Sequence, residues 1–214
     1  MSEVVLSEAA LAALREKVRP YMKESRYVHT LGVEKESEAL GRLLLPEKVL
    51  KLRAAALLHD ITKNLSVGEQ IEICGESGIA YDNSYLMSPA LFHAKTGAEV
   101  ARRRFPEYTD DEILNAIRYH TTGRRGMTLF ESIVYLADYI EPNRTFDNCV
   151  ELRRYFWNSV KSGSDASEVF HLAMLKSFDM TISDALADGS VLDADTVNAR
   201  NYYIEINRGK TNEL

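Results

Sequence analysis

Leu57-Leu58-His59-Asp60-Ile61-Thr62-Lys63 decides how the rest of the chain is read. A histidine followed directly by an aspartate closes an apolar helical run. Adjacent residues on a helix point about 100° apart, so these two side chains cannot both face one apolar neighbour. Both can reach one metal ion, the imidazole through a ring nitrogen and the carboxylate through an oxygen. Other helices are then expected to carry further ligands to this pair.

Outward from that stretch, helix signals follow one another in both directions. Pro46 suits the first turn of the helix that ends near His59-Asp60. Before it, Ser25 is expected to cap a helix running to about Leu45, and Ser7 to Val18 is periodic through Leu11, Leu14 and Val18, with Pro20 as its stop. On the other side, Ser66 with Glu69 makes a capping box for a short helix that closes around Gly75 to Gly78. Tyr81 to Met87 reads as one helical turn, and Ser88-Pro89 opens a helix to Phe105, stopped by Pro106. Thr109 with Glu112 is a second expected capping box, leading to His120. Past Gly123 and Gly126, Thr128 with Glu131 caps the helix that carries Asp138 and ends before Pro142. Three more helices are expected at Asp147 to Val160, Asp165 to Ala187 and Asp193 to Ile206, with Gly189 at a C-terminal cap.

No segment alternates with period two, no Asn-Gly hairpin turn occurs and no internal repeat stands out. The fold class is therefore all-α, a helical bundle in a single domain with extra C-terminal helices. Residues 1–24 form an N-terminal helix, 25–144 a metal-binding core, 145–206 C-terminal helices packing on it, and 207–214 a polar, frayed tail.

With 214 residues the chain can bury a good core, and its 45% hydrophobic and 27% charged residues are the balance of a soluble globular protein. No apolar run is long enough to span a bilayer, and Met1-Ser2-Glu3 does not begin a basic-then-apolar signal region. Cys74 and Cys149 form no CxxC pair, which suggests a reducing cytoplasm and two small core residues. The net charge of −6 argues against extended nucleic-acid binding. A polyphosphate ligand would have to be held by a local cluster of cations or metals.

The chain has five histidines, His29, His59, His93, His120 and His171. Any one of them alone reads best as a half-buried packing residue. The first four fall on four different helices, with Asp60 and Asp138 interspersed, in the order His…His-Asp…His…His…Asp. Imidazole and carboxylate without thiolate favour iron or manganese over structural zinc. His171 has no place in the pattern and is left to packing. Around the ligands, Arg26 lies three residues before His29, Lys63 three after Asp60 and Arg144 six after Asp138, while Thr121-Thr122-Gly123 offers hydroxyls just past His120. Each cation has a plainer reading, since a basic residue at a helix C-terminus complements the macrodipole. Arg102-Arg103-Arg104, with no ligand nearby in sequence, is best read as such a solvated helix end.

At this point longer stretches become specific. They are Arg26-Tyr-Val-His29-Thr-Leu-Gly32-Val33, His59-Asp60-Ile-Thr-Lys63, His93-Ala-Lys-Thr-Gly97-Ala98, Ala116-Ile-Arg-Tyr-His120-Thr-Thr-Gly123, Ala137-Asp138-Tyr-Ile-Glu141-Pro142-Asn-Arg144, then Thr196 with Arg200-Asn201. Together they resemble the HD-domain metal-dependent phosphohydrolase superfamily, and within it the YqeK-type branch of bacterial symmetrical bis(5′-nucleosyl)-tetraphosphatases. Asn64 to Pro89 is the least distinctive segment between them.

The resemblance implies an HD-domain helical bundle that splits diadenosine tetraphosphate into two ADP. It implies iron as cofactor, mononuclear or dinuclear, with manganese or another divalent metal as alternatives. His29, His59, Asp60 and Asp138 would surround the principal metal. His93 and His120, sharing Asp60 as a bridge, would hold a second metal or contact phosphate. Asp60, Lys63, His93 and His120 would be catalytic, with Arg26, Lys63, Arg144, Thr121 and Thr122 on the phosphate chain. The C-terminal helices would close over the nucleotide and place Thr181, Ile182 and Ser183 at the nucleoside wall. A general acid is not required, because a nucleoside diphosphate whose terminal phosphate has a pKa of about 6 leaves as a stable anion.

The alternatives are another HD-type nucleotide phosphohydrolase, such as a nucleotidase or an alarmone pyrophosphohydrolase, and a nucleotide-binding sensor without turnover. The cyclic-dinucleotide branch is disfavoured, since its His-His-Glu and Gly-Tyr-Pro wording is absent after His120. The expected partner is a small dinucleoside polyphosphate or nucleoside diphosphate, with a homodimer left open, no extended nucleic acid, no membrane, and a cytoplasmic location.

Overall fold

In the computed structural model, which describes residues 4–211, the chain is helical with no strand among the described residues. The elements are α1 (Glu8–Val18), α2 (Glu24–Leu44), α3 (Val49–Leu58), α4 (Val67–Ser77), α5 (Asn83–Met87), α6 (Phe92–Arg104), α7 (Asp111–Tyr119), α8 (Leu129–Ile140), α9 (Asp147–Lys161), α10 (Ala166–Ala187) and α11 (Ala194–Thr211). The pattern of apolar residues explains the centre. α3 buries every residue from Leu52 to Leu58, and a helix that is apolar all round must be enclosed on all sides. It packs against α1, α2, α6, α7 and α8, and the last four of these carry or end at His29, His93, His120 and Asp138. The one charge in that buried run, Arg53, donates to Glu34 at 3.0 Å and Glu8 at 2.7 Å. α9 and α10 pack on α8, and α11 packs on α10.

The caps are largely those the sequence encodes. Ser7 accepts from the Ala10 amide, and Ser66 with Glu69 and Thr128 with Glu131 form capping boxes. Gly78 ends α4 at φ +63°, a conformation that a residue with a Cβ adopts only at a cost. Two expected caps differ. Ser25 lies inside the first turn of α2, because the helix starts at Glu24, two residues earlier than a Ser25 cap would give, behind Lys23, whose amide donates to Asn64 Oδ1 at 2.9 Å. Asp110, and not Thr109, caps α7: its carboxylate accepts from the Ile113 amide, while the Thr109 hydroxyl turns back to the Phe105 carbonyl.

The expected frayed tail is also corrected over part of its length. α11 continues through Thr211, with Asn207 Nδ2 donating to Tyr203 O at 2.7 Å and His171 O at 3.4 Å; residues 212–214 lie outside the described residues. Cys74 and Cys149 are both free and buried. Among the described residues no helix is long and apolar enough to cross a membrane.

Candidate metal centre and catalytic cavity

The exit of α3 positions the central pair. The helix ends at Leu58, and the chain continues through tight turns in which Lys63 N donates to Asp60 O at 3.0 Å and Leu65 N to Thr62 O at 3.1 Å. α6 lies close against this turn. A Cβ on Gly97 would stand 3.3 Å from the His59 carbonyl, and Thr62 Oγ1 donates to the His93 carbonyl at 2.9 Å.

Three of the four histidines are oriented by one device. His59 Nδ1 meets the Ala56 carbonyl at 2.6 Å, His120 Nδ1 meets that of Ile117 at 2.7 Å, and His93 Nδ1 meets that of Ala90, each three residues upstream. A carbonyl can only accept, so Nδ1 carries the proton and Nε2 presents its lone pair. For His59 and His120 those carbonyls belong to a last helical turn, which has no intrahelical donor for them. His29 is held by a carboxylate instead, with Nδ1 3.1 Å from Glu141 Oε1.

The Nε2 atoms converge on two carboxylates. Asp60 stands between two histidine pairs: its Oδ2 lies 3.2 Å from His59 Nε2 and 3.7 Å from His29 Nε2, and its Oδ1 lies 3.1 Å from His93 Nε2 and 3.7 Å from His120 Nε2. Asp138 Oδ1 lies 2.9 Å from His29 Nε2. Although the atoms are this close, His29 Nε2, His59 Nε2 and Asp60 Oδ1 are buried with no hydrogen bond. His93 Nε2 and His120 Nε2 face each other at 2.9 Å, a contact of two lone pairs that needs a cation or a shared proton between them. Buried polar atoms that touch without bonding are what a cation cradle looks like when its lone pairs point at one centre.

Two overlapping groups bring their ligand atoms within 4.8 Å of one another: His29, His59 and Asp138, and His59, Asp60 and His120. Imidazoles and carboxylates without a thiolate fit a divalent metal, which displaces any proton the ligating ring nitrogen carries.

The electrostatics agree. Burial works against ionisation of Asp60, but the surrounding imidazoles, His59 foremost, hold its carboxyl well below the usual range. Asp138 is likewise held low, with the Arg144 charge and His29 overcoming burial. Burial pulls His29 down, yet Asp138, Glu141 and Asp60 raise it to about 9. Burial dominates at His93, which falls to about 4 despite Asp60, and it lowers His120 as well.

A cavity of about 230 Å³ opens above these groups. Arg26, Lys63, Thr121 and Arg144 line it, and so does Thr181 of α10. Arg26 Nη1 donates to Asp60 Oδ2 at 2.8 Å and Arg144 Nη2 to Asp138 Oδ1 at 2.6 Å, so each arginine touches one of the two carboxylates through one nitrogen. Lys63 Nζ lies 3.3 Å from the His93 ring nitrogens, and burial lowers its pKa against the pull of Asp60 and Asp138. The Thr121 hydroxyl is 3.1 Å from Nε2 of both His93 and His120.

Three expected contacts are not brought to the cavity. Thr122 is buried, with its hydroxyl donating to Gly123 O at 2.9 Å in a turn where Gly123 takes φ +66°. Ile182 and Ser183 follow Thr181 on α10 but do not line the cavity, and Ser183 is exposed. His171 packs by Phe170 and Tyr203, away from the centre. Sequence reasoning missed Tyr135, Tyr139 and Glu141. The two tyrosines also line the cavity, and the Tyr139 hydroxyl is buried without a hydrogen bond. Their signal is the spacing of Tyr135, Asp138 and Tyr139, one face of α8. Glu141 gave a weaker one: a Cβ on Gly32 would stand 2.1 Å from its Oε2, so Gly32 marks a close approach.

Comparison with known proteins meets this geometry. The HD domain family model matches residues 26–143. A symmetrical bis(5′-nucleosyl)-tetraphosphatase of Bacillus subtilis is 38% identical over 149 residues, 69% of this chain and 75% of that protein. Its counterpart in Halalkalibacterium halodurans is 37% identical over 136 residues, 64% of this chain and 71% of that one. A crystal structure from Clostridium acetobutylicum, described as a predicted HD superfamily hydrolase involved in NAD metabolism, superposes with a TM-score of 0.79 at 34% identity, covering 91% of this chain and 96% of that one. By the family model, these relatives and its helical bundle, the chain belongs to the HD domain family.

Proposed function

We propose that this protein is a metal-dependent hydrolase that cleaves diadenosine tetraphosphate symmetrically, giving two ADP molecules. One observation carries the reading: imidazole Nε2 atoms and two carboxylates converge beneath a cation-lined cavity, on a chain 38% identical to a symmetrical bis(5′-nucleosyl)-tetraphosphatase. His29, His59, Asp60 and Asp138 would hold the principal metal. His93 and His120, on the other oxygen of Asp60, would hold a second or meet the phosphates directly. Iron is the preferred metal and manganese the alternative, from the imidazole–carboxylate donor set. When bound there, the metal would supply a nucleophilic water near neutral pH and offset charge developing on phosphorus.

The chain's own residues do the rest. Arg26 and Arg144 are each anchored by one nitrogen to a carboxylate, leaving other guanidinium N–H groups for the equatorial phosphate oxygens. Lys63 adds a third cation, and the hydroxyls of Thr121 and Tyr139 are hydrogen-bond donors at the same wall. No spare carboxylate is needed to protonate the leaving group, since ADP departs as an anion. The test is product analysis with diadenosine tetraphosphate and added iron or manganese. ADP alone is expected. AMP with ATP would indicate asymmetric cleavage, and binding without products would indicate a sensor.

A further inference from the structure

A cavity of about 230 Å³ is smaller than the several hundred Å³ that bury an ordinary organic ligand. It can take the middle phosphates of a dinucleoside tetraphosphate, so the nucleosides must lie outside it. We infer that one of them lies in the groove between the start of α2 and the α8–α9 connection, with its base against Phe146. This inference rests on the hydrolase reading above. The groove has about 420 Å³ and is lined by Ser25, Val28, Asn143, Thr145 and Phe146. Arg26 and Arg144 line both the groove and the catalytic cavity, so a phosphate chain held by the arginines passes directly from one to the other.

The residues in the groove are hard to explain by folding. Phe146 is 67% exposed and occupies the N-cap of α9, a position that favours Ser, Thr, Asp or Asn, yet it caps nothing. Val28, beside the ligand His29, is 45% exposed on α2. An exposed aromatic ring and an aliphatic neighbour flanking a phosphate site are what a base needs for its face, and stacking is tolerant of base identity. Asn143 supplies an edge: its Nδ2 donates to the Val28 carbonyl at 3.3 Å, and its carboxamide oxygen accepts no hydrogen bond among the described residues. The stretch expected as the nucleoside wall on α10, Thr181, Ile182 and Ser183, does not line this groove.

The test is calorimetric binding of ADP and of inorganic pyrophosphate to the manganese-loaded full chain and to Phe146→Ala and Phe146→Trp. Wild type should bind ADP more tightly than pyrophosphate. Phe146→Ala should weaken ADP on the order of tenfold and leave pyrophosphate within twofold, while Phe146→Trp keeps the ADP affinity. Equal affinity for the two ligands in wild type would overturn the assignment. So would an unchanged ADP affinity in Phe146→Ala, or equal losses on both ligands. A separate turnover assay tells the two readings apart: an ADP preference that depends on Phe146 without tetraphosphate hydrolysis sinks the hydrolase and keeps the groove.

Discussion

On the floor of the cavity every imidazole is fixed from behind, by a backbone carbonyl for His59, His93 and His120 and by Glu141 for His29. At the rim, Arg26 and Arg144 are each tied to a carboxylate through one nitrogen, and Phe146 stands largely in solvent. The floor is therefore organised before any ligand arrives, which suits lone pairs that must meet one centre. The rim has donors and apolar surface to spare, which suits a substrate that differs along its length. Substitutions should separate the two, the floor changing metal content and the rim changing substrate handling.

Asp60→Ala should have the largest effect, because its two oxygens face two histidine pairs. Turnover and bound metal should both be lost while the helical circular-dichroism spectrum stays. Normal turnover would remove Asp60 from the centre. Next, Lys63→Ala and Arg144→Ala should each lose about 1.5–3 kcal/mol of substrate or transition-state stabilisation, read from kcat/KM, with metal content unchanged by elemental analysis. Metal loss in either variant would move that residue from rim to floor.

Gly32→Ala tests the support behind the floor. The new Cβ would stand 2.1 Å from Glu141 Oε2 and 2.7 Å from Asn143 Nδ2, displacing the carboxylate that orients His29. Metal affinity should drop about 10–100-fold, the usual effect of losing such a partner. An unchanged affinity would show that Glu141 is dispensable.

The smallest effect is one proton. His29 is raised to about 9 in the metal-free protein, so at pH 7.5 it carries a proton that a metal must displace. Metal affinity should therefore rise with pH and level off above about 9. Calorimetry in two buffers of different ionisation enthalpy should show about one proton released per metal from this group. His93, at about 4, is already neutral there and adds none. No release at pH 7.5 would mean that His29 is not a ligand.

The floor was legible in the sequence because helix geometry writes it. His29, His59-Asp60, His93, His120 and Asp138 sit at or near helix ends and faces that an all-α core brings together, and the boxes at Ser66 and Thr128 fixed where two helices start. The rim was only partly legible, because loops and side-chain direction decide it. Thr121 and Thr122 are adjacent hydroxyls, yet the turn at Gly123 sends one to the cavity and the other to a carbonyl. Thr181, Ile182 and Ser183 share a stretch of α10, but helix rotation exposes Ser183. Phe146 gave no periodic signal, since what distinguishes it is its exposure beside Arg144, a tertiary fact.

The floor can be tested most directly by nitrogen-15 NMR of the five imidazoles while a diamagnetic divalent metal such as zinc is added. The expected starting point is an Nδ1-protonated tautomer for His59, His93 and His120, as their carbonyl partners require. Metal should then shift the Nε2 resonances of His29 and His59 first, with His93 and His120 responding if a second ion binds, while His171, packed by Phe170 and Tyr203, stays where it was. A titration that moves His171, or that leaves Nε2 of His29 and His59 unshifted, would contradict the metal centre on which the proposed hydrolase depends.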